Sequence, residues 1–493
     1  MKKIKIIAKS ILLLLVVSST FSCQDAIDIE QPGRLLDSET FKSIDDLEAA
    51  VYGIYTRYDH TVQIRFNAVF TDEVARGISF TSDQLEAHIL NSTSAEPNDI
   101  WGSHYRTISA LNKVLAAAET NIDRAEDPEK YDALLGQLYA LRAYSHFDLQ
   151  SYFTTDYADD TALGVIILDY IADINTSDVR KTNGEVFTFI SEDLDRAESL
   201  LNDDTNPIFV TKDFIIALRA RMATYRENYT LANQYASDIL SRWSLADKAQ
   251  YFNMYEDSDN TEVIFKLERV INDGYNRQRD RGFGDVGTLF AFTNATASGG
   301  QFLEVGRDLY NQFNEDNADI RFSRNINPSK VVDPDYENNP NYQNSDILPV
   351  NKYSGSDGAP LMNDHKIFRV SEMVFIQAEA LAAANDLVGA ATSIKTLRDA
   401  RFGTDTPLPV YATQQEAFGD ILDERRKELF VEGHRWLDLK RLGERANRTI
   451  QRDPADCSIT NACSLPITDH RFTLPIPVRE TNINPALEQN PGY

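Results

Sequence analysis

Apolar residues recur every three or four positions through most of the first 243 residues and again over 366–445, a period that predicts amphipathic helices. Residues 45–58 carry Leu47, Val51, Ile54, Tyr55 and Tyr58 at this spacing, and residues 101–118 repeat it with Tyr105, Ile108, Leu111 and Leu115. A longer helix is predicted over 128–152, then one over 185–201, then a pair over 212–227 and 231–243. Ala217, Ala220 and Ala223 on the first of that pair, and Ala232 and Ala236 on the second, allow close approach. Paired helices of this size, rich in Ala and Tyr at facing positions, look like degenerate tetratricopeptide repeats. Residues 244–365 change character: Asn, Asp, Gly and Pro crowd together, as in Asn338-Asn-Pro-Asn-Tyr342, around short β-like runs such as Val263-Ile-Phe-Lys-Leu267. This predicts a loop-rich region between helical parts, the kind of segment that carries function more often than scaffold does. Helices resume at 372–384, 387–401 and 414–431, with Gly433 as a stop and Trp436, Leu437, Leu439 and Leu442 as a further apolar cluster. The tail, 446–493, holds Pro475, Pro477, Pro485 and Pro491 and reads as extended.

The N-terminus changes the picture of where the chain resides. Lys2, Lys3, Lys5 and Lys9 precede an apolar run over 11–17 that is too short to span a bilayer, and small residues then lead to Cys23. This predicts a lipoprotein signal peptide over 1–22, cleavage before Cys23 and acylation of that cysteine. Thr20 and Phe21 depart from the commonest lipobox, which has Leu three positions before the cysteine and a small residue two before. No later segment has the 18 or so consecutive apolar residues of a membrane span, so the membrane is reached only through the lipid. The other two of the three cysteines, Cys457 and Cys463, lie six apart in a polar loop, and an oxidising compartment favours a disulfide between them.

Formal charge is −27, and loss of residues 1–22 removes four lysines and no acid, leaving −31. Such a body repels nucleic acid and other polyanions, although a locally basic site is compatible with it. Aromatic residues make up 10% of the chain, and Tyr or Trp in a cleft would give platforms for sugar rings. The seven His show no metal-ligand spacing, a Gly-x-Ser-x-Gly elbow is absent, and a carboxylate pair means little among 76 acids. No metal or cofactor is predicted. The Asp-rich loops at 156–160 and 256–259 fit no EF-hand spacing, and solvated loops are the simpler reading.

Two segments carry the most specific pattern. One runs Glu424-Arg-Arg-x-Glu428-Leu, then Glu432-Gly433-x-Arg435-Trp436-x-Asp438-Leu439-x-Arg441; the other is Leu474-Pro-Ile-Pro477 with Gln489-Asn-Pro-Gly-Tyr493. With Trp101, Tyr105 and Asn112, Leu141-Arg142-Ala143-Tyr144, Asp319-Ile-Arg321, and Arg398 with Arg401, they occur in an order that resembles the SusD/RagB family, surface glycan-binding lipoproteins of Bacteroidetes outer membranes. The resemblance spans nearly the whole chain after Cys23. It implies a mainly α, SusD-like fold: degenerate tetratricopeptide-type helix pairs plus a loop-rich, short-strand region. It also implies one domain over 23–493, with a helical scaffold at 40–243 and 366–445 and a ligand region at 244–365. The implied function is non-catalytic capture of oligo- or polysaccharide at the outer membrane and delivery to a SusC-like TonB-dependent transporter. Peptide or other non-sugar cargo is the alternative, and a glycoside hydrolase the remote one.

The motif charges Glu424, Arg425, Arg426 and Glu428 alternate in sign beside apolar positions, so a structural network is expected of them rather than a ligand site. The family places its ligand on loops outside the repeats. By position, that points to Phe70, Asp72, Arg76 and Phe80 in the first half, and to Tyr275, Asn276, Arg277 and Phe283 in the loop-rich region.

Overall fold

Ser43 and Asp46 exchange capping hydrogen bonds at the start of α1 (Ile44–Tyr55), whose Leu47, Val51 and Ile54 turn inward. The computed structural model describes residues 41–80, 82–173, 176–270, 286–290, 301–356 and 359–493. A second helix, α2 (Thr61–Phe70), was not foreseen because it is buried on nearly every side and has no polar stripe to set a period. After the short β1 (Val74–Arg76), α3 (Ala95–Asn121) begins six residues before the predicted start, with Pro97 tolerated in its first turn. Asp127 caps α4 (Pro128–Phe153), and Pro128 takes the first helical position. Thr182 and Glu185 form a second capping box at α5 (Asn183–Leu200).

The expected pair follows as α6 (Lys212–Tyr225) and α7 (Tyr229–Arg242), and Ala217, Ala220, Ala232 and Ala236 are fully buried. Next come α8 (Lys248–Met254), β2 (Val263–Leu267), β3 (Leu303–Val305), α9 (Arg307–Asn314) and α10 (Ile320–Asn325). The two-residue strands β4 (Gly355–Ser356) and β5 (Ala359–Pro360) lead to β6 (His365–Arg369). Helices return as α11 (Val370–Ala383), α12 (Leu387–Phe402), α13 (Gln414–Glu428) and α14 (Arg435–Ala446). The chain closes with β7 (Ile450–Gln451), β8 (Ser464–Leu465) and α15 (Val478–Ile483). That last helix corrects the reading of the tail as wholly extended: Pro477 stands just before it and Pro485 just after, where proline is compatible with a helix. Likewise α13 stops at Glu428 rather than Val431, and the chain turns through positive φ at Val431 (51°) and Gly433 (85°).

The repeat character lies in the turns as well as the helices. α6 and α7 are joined by Arg226-Glu227-Asn228, and α11 and α12 by Ala384-Asn385-Asp386. In each, the middle residue is left-handed (Glu227 φ 55°, Asn385 φ 61°), and the third donates its N–H five residues back, to Ala223 or Leu381. The third side chain then caps the next helix, Asn228 accepting from Leu231 N and Asp386 from Gly389 N. Both are Schellman closures that pass directly into an N-cap.

Helix α4 packs between α3 and α5, and α11 packs against α7 and α12, with α13 and α14 beside them. One core runs through these layers from Ile44 to Leu487, with a smaller cluster of Ala246, Tyr251, Met254, Tyr255 and Val263 at its side. Strands pair antiparallel in four two-stranded ribbons among the described residues: β1 with β3, β2 with β6, β4 with β5 and β7 with β8.

Candidate functional site

The motif charges are interior. Glu428 accepts from Arg401 and Arg369, each at 2.8 Å, and lies 3.4 Å from Arg321. Glu424 holds Arg321 at 2.6 Å and Arg398 at 2.8 Å, while Asp438 holds Arg425 at 2.8 Å and Arg441 at 3.0 Å. Burial pushes these carboxyls upward, yet the guanidinium groups outweigh it: Asp438 lies at about 2, and Glu424 and Glu428 are likewise lowered. Trp436 is fully buried, stacked on Tyr152 at 5.6 Å. This network ties α13 and α14 to α10, α11 and α12 and offers no surface to a ligand.

Two of the residues expected to bind ligand belong to that interior. Phe70 is fully buried, stacked on Phe66 at 5.3 Å and tilted against His88. Asp72, also buried, takes both forks of Arg435 at 2.8 and 2.9 Å. Neither presents a face to solvent, so both are corrected to structural roles: Phe70 ends the buried α2, and the turn residue Asp72 is drawn inward by Arg435. Tyr275, Asn276, Arg277 and Phe283 lie outside the described residues, as does Cys23.

Arg76 and Phe80 do lie at the edge of the fold. Beyond β1 the chain keeps pairing with the approach to β3, Gly77 N donating to Phe302 O at 3.1 Å and Ser79 N to Gln301 O at 2.9 Å. The approach is close enough that a Cβ on Gly77 would sit 2.4 Å from Gln301 O, so glycine is required there. Phe80 meets Phe302 edge-on at 4.9 Å, and Arg76 lies over the Phe80 ring at 5.3 Å while gripping Glu86 at 2.5 and 3.0 Å. Ile78 and Ile89 are each about half exposed beside them (46% and 48%).

Arg452, just past β7, joins this edge to a second group of residues. Its guanidinium donates to the backbone carbonyls of Thr71, Val69, Phe70, Glu86 and Ala462 at 2.5–3.1 Å. From there projects the loop closed by the Cys457–Cys463 disulfide. Against that loop lies a cleft of about 680 Å³ lined by Tyr336, Asn338, Asn339, Tyr342, Asp453 and Ser458, among others. The hydroxyl of Tyr336 donates to Asp453 at 2.9 Å and that of Tyr342 to Ala455 O at 2.8 Å, so both rings are fixed in orientation. Arg307 backs the Tyr336 ring at 4.0 Å, bonds Asp346 at 2.5 Å, and donates its backbone N–H to Asp456 at 2.7 Å. Beneath the cleft, burial pushes Asp456 up to about 7 and Glu304 up to about 8.

The half-buried Tyr342 ring can stack on the apolar face of a sugar ring while the amides, hydroxyl and carboxylate around it bond the sugar's hydroxyls, and Tyr336, only 8% exposed, forms the cleft's inner wall. In the sequence these tyrosines stand in an Asn- and Pro-rich loop with nothing local to join them to a cysteine pair more than a hundred residues later. Among the described residues no group of three or more His, Cys, Asp or Glu is arranged to hold a metal ion.

Residues 349–493 match a family model described as the SusD family, and residues 27–225 match one described as starch-binding associating with outer membrane. Residues 226–348 fall between the two. Two SusD-like proteins of Formosa agariphila are 23% and 24% identical over 543 and 532 aligned residues, covering all of this chain and all of each relative. Among solved structures, a SusD superfamily protein of Bacteroides thetaiotaomicron aligns with a TM-score of 0.76 at 22% identity, over 91% of this chain and 100% of that one. A putative sugar binding protein of Bacteroides vulgatus aligns with a TM-score of 0.75 at 22% identity, over 92% and 99%. The structural likeness gives the fold: mainly helical, with degenerate helix-pair repeats and few, short strands.

Proposed function

The chain belongs to the SusD/RagB family, and on that premise we propose that it is a non-catalytic, lipid-anchored outer-membrane protein that captures oligo- or polysaccharide and passes it to a SusC-like TonB-dependent transporter. Cys23 carries the lipid, and the body faces the cell exterior. The observation that carries the reading is the Tyr336–Tyr342 cleft, where two rings are held in fixed orientation among Asn338, Asn339, Asp453 and Ser458. Arg76, over the buried Phe80 ring, and Tyr275, Asn276, Arg277 and Phe283 of the loop-rich region are the further candidates for ligand contact. The charge pattern supports capture rather than catalysis, because the perturbed carboxylates of the motif are all spent on internal arginines.

The test is affinity electrophoresis of the mature chain, residues 24–493, through gels containing a panel of polysaccharides. Retardation by one polymer, weakened about tenfold or more by Tyr336→Ala with Tyr342→Ala, is the expected result. Retardation untouched by both substitutions would move the site to the remaining candidates. No retardation by any polymer, with binding of peptides instead, would replace sugar by peptide cargo. Transfer of radiolabelled palmitate to the full chain but not to Cys23→Ala tests the anchor.

A further inference from the structure

Nearly every Lys and Arg among the described residues is engaged. Among the described residues, only Arg57, Arg106, Lys113, Lys181 and Arg479 lack a hydrogen-bonded, ion-paired or ring partner for the side chain. All are exposed, and all but Lys181 line a single groove of about 760 Å³ between α3, the chain at residues 166–168 and α15. In a protein of formal charge −27, four unspent cations converging on one concavity are not a chance scatter. Arg57 and Arg106 also line a neighbouring cavity of about 260 Å³, so the cationic surface is longer than either cavity.

The groove's own acids offset part of its charge but pair with none of the four cations. Asp178 accepts the Tyr170 hydroxyl, and in the neighbouring cavity Asp59 accepts the backbone N–H and hydroxyl of Thr61. Asp173 has an interaction of its own, which leaves Glu480 as the groove carboxylate without a hydrogen bond or ion pair. The cations also have order. Arg106 and Lys113 stand two turns apart on α3, a separation on the order of 10 Å along the axis. Between and beside them the groove presents Asn98, Ser109 and Asn484, polar groups suited to hydroxyls. The α3 wall is rigid: Tyr105 both donates to and accepts from the backbone of Ile166, each at 2.9 Å, and packs on Trp101 at 4.8 Å. Spaced cations on a stiff concave wall with hydroxyl-bonding groups between them fit a chain with charge at intervals and hydroxyls elsewhere.

We propose that this groove binds a polyanionic saccharide, bearing carboxylate or sulfate-ester groups, through Arg57, Arg106, Lys113 and Arg479. The choice of a saccharide rests on the glycan-capture reading; the location and charge of the ligand rest on the groove. Net charge repels polyanions from the body as a whole, and Asp173, Asp178 and Glu480 share the groove with the four cations, so binding rests on direct contact between the ligand's anionic groups and those unpaired cationic side chains.

The test uses the detergent-solubilised full chain, titrated at low and moderate salt with polygalacturonate, dextran sulfate and neutral dextran. Binding of polygalacturonate or dextran sulfate but not dextran is expected, weakening as salt rises, and which polymer binds separates carboxylate from sulfate. R106E with K113E is expected to weaken binding about tenfold or more, with R106Q and K113Q giving the same direction should the reversals disturb folding. K181E, an equally free cation outside the groove, is expected to leave binding unchanged. Absence of polyanion binding overturns the proposal, as does an equal loss in K181E, which would mean diffuse attraction. It also fails if R106E with K113E keeps polyanion binding and instead loses association with the transporter, since the groove would then be a protein contact. Retardation by neutral polymers, and its dependence on Tyr336 and Tyr342, is read separately and does not move with these outcomes.

Discussion

Individual carboxyl groups in this protein fall into two opposed classes. Glu432, Asp438 and Asp72 are buried but outweighed by guanidinium or ammonium partners and lie at about 2. Their folded values are depressed, so their contribution is fully present above the ordinary carboxylate range and is lost as pH falls toward 2. Glu428 is the most demanding of this class because three arginines share it. Glu428→Ala leaves Arg369 to Glu262 and Glu432 and Arg401 to Glu262 alone, each one carboxylate short in the interior, and a loss of about 3 kcal/mol is expected from denaturant unfolding. Glu304 represents the other class. Burial raises it from 4.5 to about 8, one oxygen accepts from Leu348 N at 2.7 Å, and the other has no partner among the described residues. An acid whose folded value is raised costs stability as pH climbs from its unfolded value to its folded one, because the unfolded chain releases the proton first. Glu304→Gln keeps an acceptor for Leu348 and removes that cost. Its melting temperature should match the parent near pH 4.5 and exceed it by about 2–4 °C at pH 8, with no further gain above that. A difference independent of pH would mean that packing, not titration, sets the effect.

At the scale of elements, the sequence was legible wherever one face of a helix is wet. The helices α1, α4, α5, α6, α7, α11 and α12 lie where 3–4 spacing put them, and the alternating charges of α13 were read correctly as internal pairs. What escaped has physical reasons. The helix α2 buries Thr61, Gln63 and Asn67 along with its hydrocarbons, so hydropathy shows no period. Without it Phe70 looks like a loop residue, and the turn residue Asp72 looks exposed although it packs under Arg435. The turn α15 hid among prolines that flank rather than interrupt it. The Tyr336–Tyr342 cleft has no local pattern at all, because its other wall, Asp453, Pro454, Ala455 and Ser458, comes from the segment leading into the disulfide loop, far away in sequence. That loop has a measurable role. Cys457→Ala with Cys463→Ala should cost about 2 kcal/mol through the freed loop entropy. It should also weaken glycan retardation through Tyr336 and Tyr342, whose hydroxyls are anchored on Asp453 and Ala455. Loss of stability with unchanged retardation would separate the loop from the cleft.

Across the whole molecule, the two ends of the chain complete one another. Leu474 N donates to Tyr152 O at 2.9 Å, Val478 N to Ser92 O at 2.9 Å, and Asn490 Nδ2 to Phe153 O at 2.9 Å. Arg180 reaches Glu488 O at 3.1 Å, and Arg435 and Trp436 N bond Asp72 and Asn67 in the first half. Deleting residues 486–493 removes Asn490 and the Glu488 carbonyl from two buried partners. The truncated chain should show faster proteolysis within α4 and α5 as well as at the new end, whereas cleavage confined to the new end would show the tail to be an appendage. These contacts span more than 300 residues, and closures of that kind form late because the chain must first bring its ends together. On the proposed route to the outer membrane, a chain threaded amino-end first would emerge with its leading half still lacking these partners, and the contacts of residues 474–490 would form only after that segment had cleared the channel, so the fold would stay open while passage requires an unfolded chain.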